Sequence, residues 1–140
     1  MNHSKLGMQI RPKSGVMKFL PPFISGRTAM AIYPYIYLPE TIYSKITTGG
    51  LNADLELVIE HELKHLERQR EVGLFRWLLK YCIDKNFRFE EELVAVKASV
   101  ELSRKIGVKM DIDKISKILS GPMYLWMTSY SNAYKRLSQY

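Results

Sequence analysis

Cysteine is nearly absent. Cys82 is the single one among 140 residues, so no intramolecular disulfide can form. A secreted domain stapled by disulfides is excluded, and the cytoplasm, a reducing compartment, is the expected location. Long apolar runs are missing as well. The longest, residues 29–39, is far short of a membrane span and carries Pro34, and the first fifteen residues hold no stretch of signal-peptide length. No membrane partner is therefore expected. Repeats and low-complexity segments are also lacking. Acids are absent from residues 1–39, which hold five Lys or Arg. Residues 40–102 hold nine bases against twelve acids and residues 103–140 seven against two, for a net charge of +7. Basic ends suit a polyanion such as nucleic acid or a bacterial wall polymer. No basic helix, RNA-binding signature or Cys/His finger accompanies them, so nucleic acid is not the expected partner.

What is present is the composition of a folded chain. It is 46% hydrophobic and 25% charged, and its length suits one hydrophobic core. Pro12, Gly15, Pro21, Pro22 and Gly26 make residues 1–27 read as an irregular basic arm, which leaves residues 28–140 as a single domain. Residues 28–38 are β-branched and aromatic, and Pro34 lacks the amide of a central ladder, so an edge strand is expected. Thr47 to Asn52 is turn chemistry. Asn52 or Asp54 then caps a helix running to about Arg70, with Leu55, Val58, Ile59, Leu63 and Leu66 at helical spacing. After Gly73 a short amphipathic helix runs to Ile83, with Phe75, Trp77, Leu78 and Tyr81 as core residues and Cys82 as a small buried one. Asp84 to Asn86 reads as a polar turn. Residues 90–105 form a further helix, Asp111 caps one to Leu119, Gly121-Pro122 breaks the chain, and Ser129 or Ser131 begins the last. The fold class so predicted is α+β, mostly α: a short β element and about five helices.

The strongest chemical signal is His61-Glu62-Leu63-Lys64-His65, an HExxH inside a segment that reads as helix on independent grounds. Residues four apart share a helix face, so the two imidazoles can converge on one ion. Glu62 lies about 100° round the helix, where it reaches a water on that ion more easily than the ion itself. Two of only three histidines are spent on this motif, and Val58, three residues earlier on the same face, turns that face inward. A metal is the reading that gives an inward His pair a purpose. Zinc is the expected ion, since a catalytic zinc takes three N/O ligands and leaves a position for water. The third ligand must be a carboxylate, because His3 is in the basic arm. Asp84, Glu90, Glu91, Glu92 and Glu101 are the candidates.

With these residues the chain resembles the zincin metallopeptidases of the gluzincin type, in which HExxH is followed on a later helix by a glutamate ligand. In several such families a small residue stands three positions after that glutamate, where its helix crosses the motif helix. Glu92 has Ala95 at that offset, whereas Glu90 and Glu91 have Leu93 and Val94. The resemblance thus implies Glu92 as the third ligand. It departs at Val96, where thermolysin-like families place an aspartate that orients a metal-bound histidine; a supporting partner must come from elsewhere. Most of residues 28–137 is also similar to small HExxH proteins encoded by phages and bacteria. The shared texture includes Ile32-Tyr-Pro-Tyr-Ile-Tyr37, Phe87-Arg-Phe-Glu-Glu-Glu92 and Leu119-Ser-Gly-Pro-Met-Tyr124. The implied activity is zinc-dependent hydrolysis of a peptide bond in a peptide, protein or wall-peptide substrate, with Glu62 moving the proton from water to the leaving amine. The strand near residues 32–37 would hold substrate by edge pairing. Tyr124, Tyr37 and Arg88 are eligible oxyanion donors, Tyr124 first. The competing expectation is a non-catalytic, zinc-stabilised binding module that contacts a polyanion.

Overall fold

The computed structural model describes residues 10–15, 17 and 29–140. The basic arm expected over residues 1–27 lies mostly outside them, His3 included. Its one described regular piece is a strand, β1 (Ile10–Pro12). Two more strands, β2 (Met30–Ile32) and β3 (Tyr35–Leu38), complete a small sheet in the order β1-β3-β2. β1 runs parallel to β3 with Ile10 opposite Ile36, and β2 runs antiparallel with Met30 opposite Tyr37. The single edge strand expected over residues 28–38 is thus a hairpin. Pro34 sits in the tight turn between its arms, where a missing amide costs nothing, and β3 is the central strand.

Six α-helices follow, and the α+β, mostly α class is what the chain adopts. They are α1 (Glu40–Gly49), α2 (Ala53–Val72), α3 (Leu74–Ile83), α4 (Lys85–Ile106), α5 (Ile112–Leu119) and α6 (Tyr130–Leu137). The sequence reading omits α1, whose β-branched residues suit a strand better. Its helix is held by tertiary packing of Ile42, Tyr43 and Ile46 against the sheet. Side chains cap the starts of four others, all but α3, which follows Gly73: Asn52 accepts from the Leu55 amide at 2.9 Å, Asp111 from Lys114 at 2.9 Å and Ser129 from Asn132 at 3.3 Å. Asp84 does the same, accepting from the amides of Asn86 at 2.9 Å and Phe87 at 3.1 Å. The expected polar turn is therefore an N-cap, and α4 begins five residues before Glu90.

Only one residue, Gly73, separates α2 from α3, and its φ of 91° is a conformation that residues with a Cβ rarely adopt. Two cores result. Ile36, Leu38, Ile59 and Leu66 join the sheet to α2, while Leu93, Val96, Leu119 and Leu137 join α4 to α5 and α6. The long helices α2 and α4 pack along each other between the two cores. Ala95 is fully buried, and one turn on, the Ser99 hydroxyl donates to the Leu57 carbonyl at 3.0 Å. Among the described residues no helix is long and apolar enough to cross a membrane.

Candidate metal centre

The crossing of α2 and α4 brings three side chains together. His61 and His65, one turn apart on α2, hold their Nε2 atoms 3.2 Å from each other. Glu92 on α4 places Oε2 3.3 Å from His61 Nε2 and Oε1 3.2 Å from His65 Nε2. Of the carboxylates open to selection in the sequence, Glu92 is the one here. Glu90 pairs with Arg136 at 2.9 Å, Glu91 with Arg68 at 2.9 Å, Asp84 caps α4, and Glu101 is exposed.

The approaches from His61 and from His65 run to different oxygens of Glu92, so the carboxylate spans the two imidazole nitrogens. Ligand atoms about 2.0–2.1 Å from a tetrahedral zinc lie roughly 3.3 Å apart, which is the scale of the His61–His65 separation and of each imidazole's approach to the carboxylate, and one ligand atom from each of the three residues lies within 4.8 Å of the others. Two imidazole nitrogens and a carboxylate are also a ligand set that catalytic zinc uses. Without an ion, the same distances are those of a hydrogen-bonded ion pair.

Glu92 is fully buried, and both its oxygens are engaged. Tyr81 on α3 donates to Oε1, and Tyr124 donates to Oε2 at 3.0 Å. Burial opposes the ionisation of Glu92, yet the His65 charge and bonds from both imidazoles outweigh it and hold the carboxyl well below its usual range. Burial likewise opposes a charged His65, and Glu92 reverses the balance, leaving its pKa raised. Burial and the charge of Glu92 push the phenols of Tyr81 and Tyr124 well up, so both remain donors.

Tyr124 reaches the site because Gly121-Pro122 ends α5 in a 3-10 turn, Pro122–Tyr124, that folds back toward α4. Of the other expected oxyanion donors, Arg88 donates instead to the carbonyls of Tyr81 and of Cys82, the latter at 3.1 Å, and closes the α3–α4 turn. Tyr37 lies on β3, which is paired on both sides and offers no free edge to substrate; among the described strands β1 and β2 each have an unpaired side, and of residues 32–37 Ile32 alone lies on one of them.

Glu62 lines a cavity of about 340 Å³ together with His61, Glu92 and Tyr124. Apart from Ser99 the remaining wall is apolar, with Leu57, Val96, Met110, Ile115, Ile118 and Met123 in it. Burial raises the pKa of Glu62, the His61 and His65 charges only partly offsetting it, which makes its carboxylate a stronger base than a solvated one. The Lys13 ammonium, just beyond β1, also acts on Glu62 and favours its charged form.

Among the described residues no carboxylate takes, at His65, the part of the aspartate missing at position 96. Nδ1 of His65 is buried with no hydrogen-bond partner among the described residues. Aromatic rings hold the imidazole instead: Trp77 stands edge-on at 5.6 Å and Tyr81 at 6.2 Å, and those two stack on each other at 4.5 Å. Trp77 is fixed in turn by its Nε1–H, which donates to Glu91 at 3.0 Å.

Sequence reasoning assigns Trp77 and Tyr81 to the core, where both are buried, and misses their polar ends. A signal was available: a purely apolar position has no need of the Tyr hydroxyl or the Trp N–H. Phe75 is a correction. It was expected in the core with them but is 87% exposed, because it lies about 200° from Trp77 on the opposite face of α3. Leu78 and Cys82 are half-buried at its margin.

No protein-family model, curated protein or solved structure matches the chain. Functional inference therefore rests on the site itself.

Proposed function

We propose that this protein is a zinc-dependent peptidase, with His61, His65 and Glu92 as metal ligands and Glu62 as general base. The observation that carries the reading is two imidazole nitrogens 3.2 Å apart, each within 3.3 Å of an oxygen of the Glu92 carboxylate, beside a second carboxylate on a cavity wall. When bound, zinc supplies Lewis acidity and lowers the pKa of a water. Glu62 accepts the proton of the attacking water and delivers it to the leaving amine, a role helped by its raised basicity. Tyr81 and Tyr124 hold the Glu92 carboxylate in place, and Tyr124, at the cavity wall, would serve a developing oxyanion by turning its single O–H away from Glu92. The apolar remainder of the cavity gives room for one substrate side chain. The single cysteine supports a cytoplasmic setting.

The test compares zinc-loaded protein with its Glu62→Gln variant on pools of mixed peptides and cross-linked wall fragments. The variant is expected to retain zinc and fold while losing roughly two to four powers of ten in rate. Equal rates, or no cleavage in any pool, would favour a zinc-stabilised binding module. That second reading draws support from the way the triad and two tyrosines satisfy one another without substrate.

A further inference from the structure

The outward face of α3 is the most exposed apolar feature among the described residues. Phe75 is 87% exposed, Ile83 74% and Leu79 61%. Their spacing of four sets them within about 80° of one another, so they form one stripe along the helix. Arg76 and Lys80, both exposed, flank the stripe, and α3 itself carries no acid. The nearest acids in sequence are Glu71, engaged by Arg68, and the cap Asp84. The inner face, with Trp77 and Tyr81, packs against His65, so α3 has two apolar sides, of which the outer has no partner among the described residues.

We propose that α3 lies on an anionic lipid surface, with Phe75, Leu79 and Ile83 entering the headgroup boundary and Arg76 and Lys80 meeting lipid phosphates. Two arguments select this occupant over a second copy of the chain. Scaled by their exposure, the three side chains offer roughly 400 Å², about half of the ~800 Å² that each partner contributes to a stable protein interface. A lipid surface needs no fixed minimum, since binding there grows with apolar area plus attraction for basic residues. Charge complementarity is the second: Arg76 and Lys80 border the stripe on a chain of net charge +7, and bases in that position snorkel toward phosphates while their stems cover apolar surface. A segment too short to span a membrane can still lie along one, and the proposal departs in this from the sequence expectation of no membrane partner.

The experiment is cosedimentation of the purified full chain with vesicles of equal parts phosphatidylglycerol and phosphatidylcholine, against vesicles of phosphatidylcholine alone. Binding to the anionic vesicles is expected to be about tenfold tighter or more, and to weaken with salt. The Phe75→Ser/Ile83→Ser variant should lose binding to both, and Arg76→Gln/Lys80→Gln should lose the preference for phosphatidylglycerol. Because these side chains are exposed, far-UV circular dichroism and zinc content should match wild type in both variants, which separates this proposal from the peptidase reading. Absence of binding, or binding that neither variant alters, overturns it. So does a concentration-dependent doubling of mass abolished by Phe75→Ser/Ile83→Ser, which would make a second copy the occupant.

Discussion

The Glu92 carboxylate is the residue on which the site turns, because it receives all four of its neighbours at once: His61 and Tyr124 on one oxygen, His65 and Tyr81 on the other. Its protonation therefore couples to stability. Glu92 titrates below its ordinary 4.5, so its contribution is present above about pH 4.5 and is lost as pH falls through the depressed value. His65 titrates above its ordinary 6.5, so its contribution is complete below 6.5 and is lost as pH rises through the raised value. Metal-free protein should be most stable between those limits and should melt at a lower temperature at about pH 8 than at about pH 6. Zinc reverses the trend, because ligation displaces the His65 proton, and the rise in melting temperature on adding zinc should grow over the same interval. Thermal melts in chelator and in zinc at the two pH values check both statements. A flat profile in chelator would remove the ion pair from the account.

At the scale of elements, the motif helix packs on the sheet through Ile59 and Leu66 and is hydrogen-bonded to the hairpin by the side chain of Gln69. Gln69 on α2 is fully buried; its amide NH₂ donates to the Ala31 carbonyl at 2.9 Å, and its oxygen accepts from the Tyr33 amide at 2.8 Å. It thus clamps the β2–β3 turn, eight residues along the helix from His61. Gln69→Leu keeps the volume roughly and strands both backbone groups, so a loss of about 2–3 kcal/mol is expected in urea unfolding. A change within about 0.5 kcal/mol would mean that packing alone holds the hairpin. Nothing in the sequence singles out Gln69, because its partners are 36 and 38 residues away. The helices α2, α3, α5 and α6 were legible for the opposite reason, since caps and apolar period are local. α1 was not, because its hydroxyls and β-branches argue for a strand and only the sheet beneath it decides otherwise.

For the whole molecule, a metal at this site would tie the first core to the second, since its ligands come from α2 and from α4. Binding to the folded state alone stabilises it by about 2.7 kcal/mol at a free zinc concentration of a hundred times Kd. For a chain of this length that is a rise of roughly 6–15 °C in melting temperature. Differential scanning calorimetry with zinc and then with chelator should show the rise and its reversal, and His65→Ala should show neither. A rise of the same size in His65→Ala would locate the zinc elsewhere, the exposed acids included.

The sequence by itself determined the mostly helical class, the capped starts of α2, α5 and α6 and the shared face of His61 and His65, because each depends on residues within a turn or two. It also divided Glu62 from the two imidazoles, since a 100° step on one helix is fixed by the backbone. Glu92 came from resemblance and the neighbouring Ala95, and only the crossing of α2 with α4 sets it within 3.3 Å of both histidines. The tertiary structure alone decided that Pro34 would turn a hairpin, that Tyr81 and Tyr124 would both point at one carboxylate, and that Phe75 would face outward while Trp77 faced in. Each of those outcomes depends on which surface a distant element covers, and that is a property of the packed chain that local spacing does not contain.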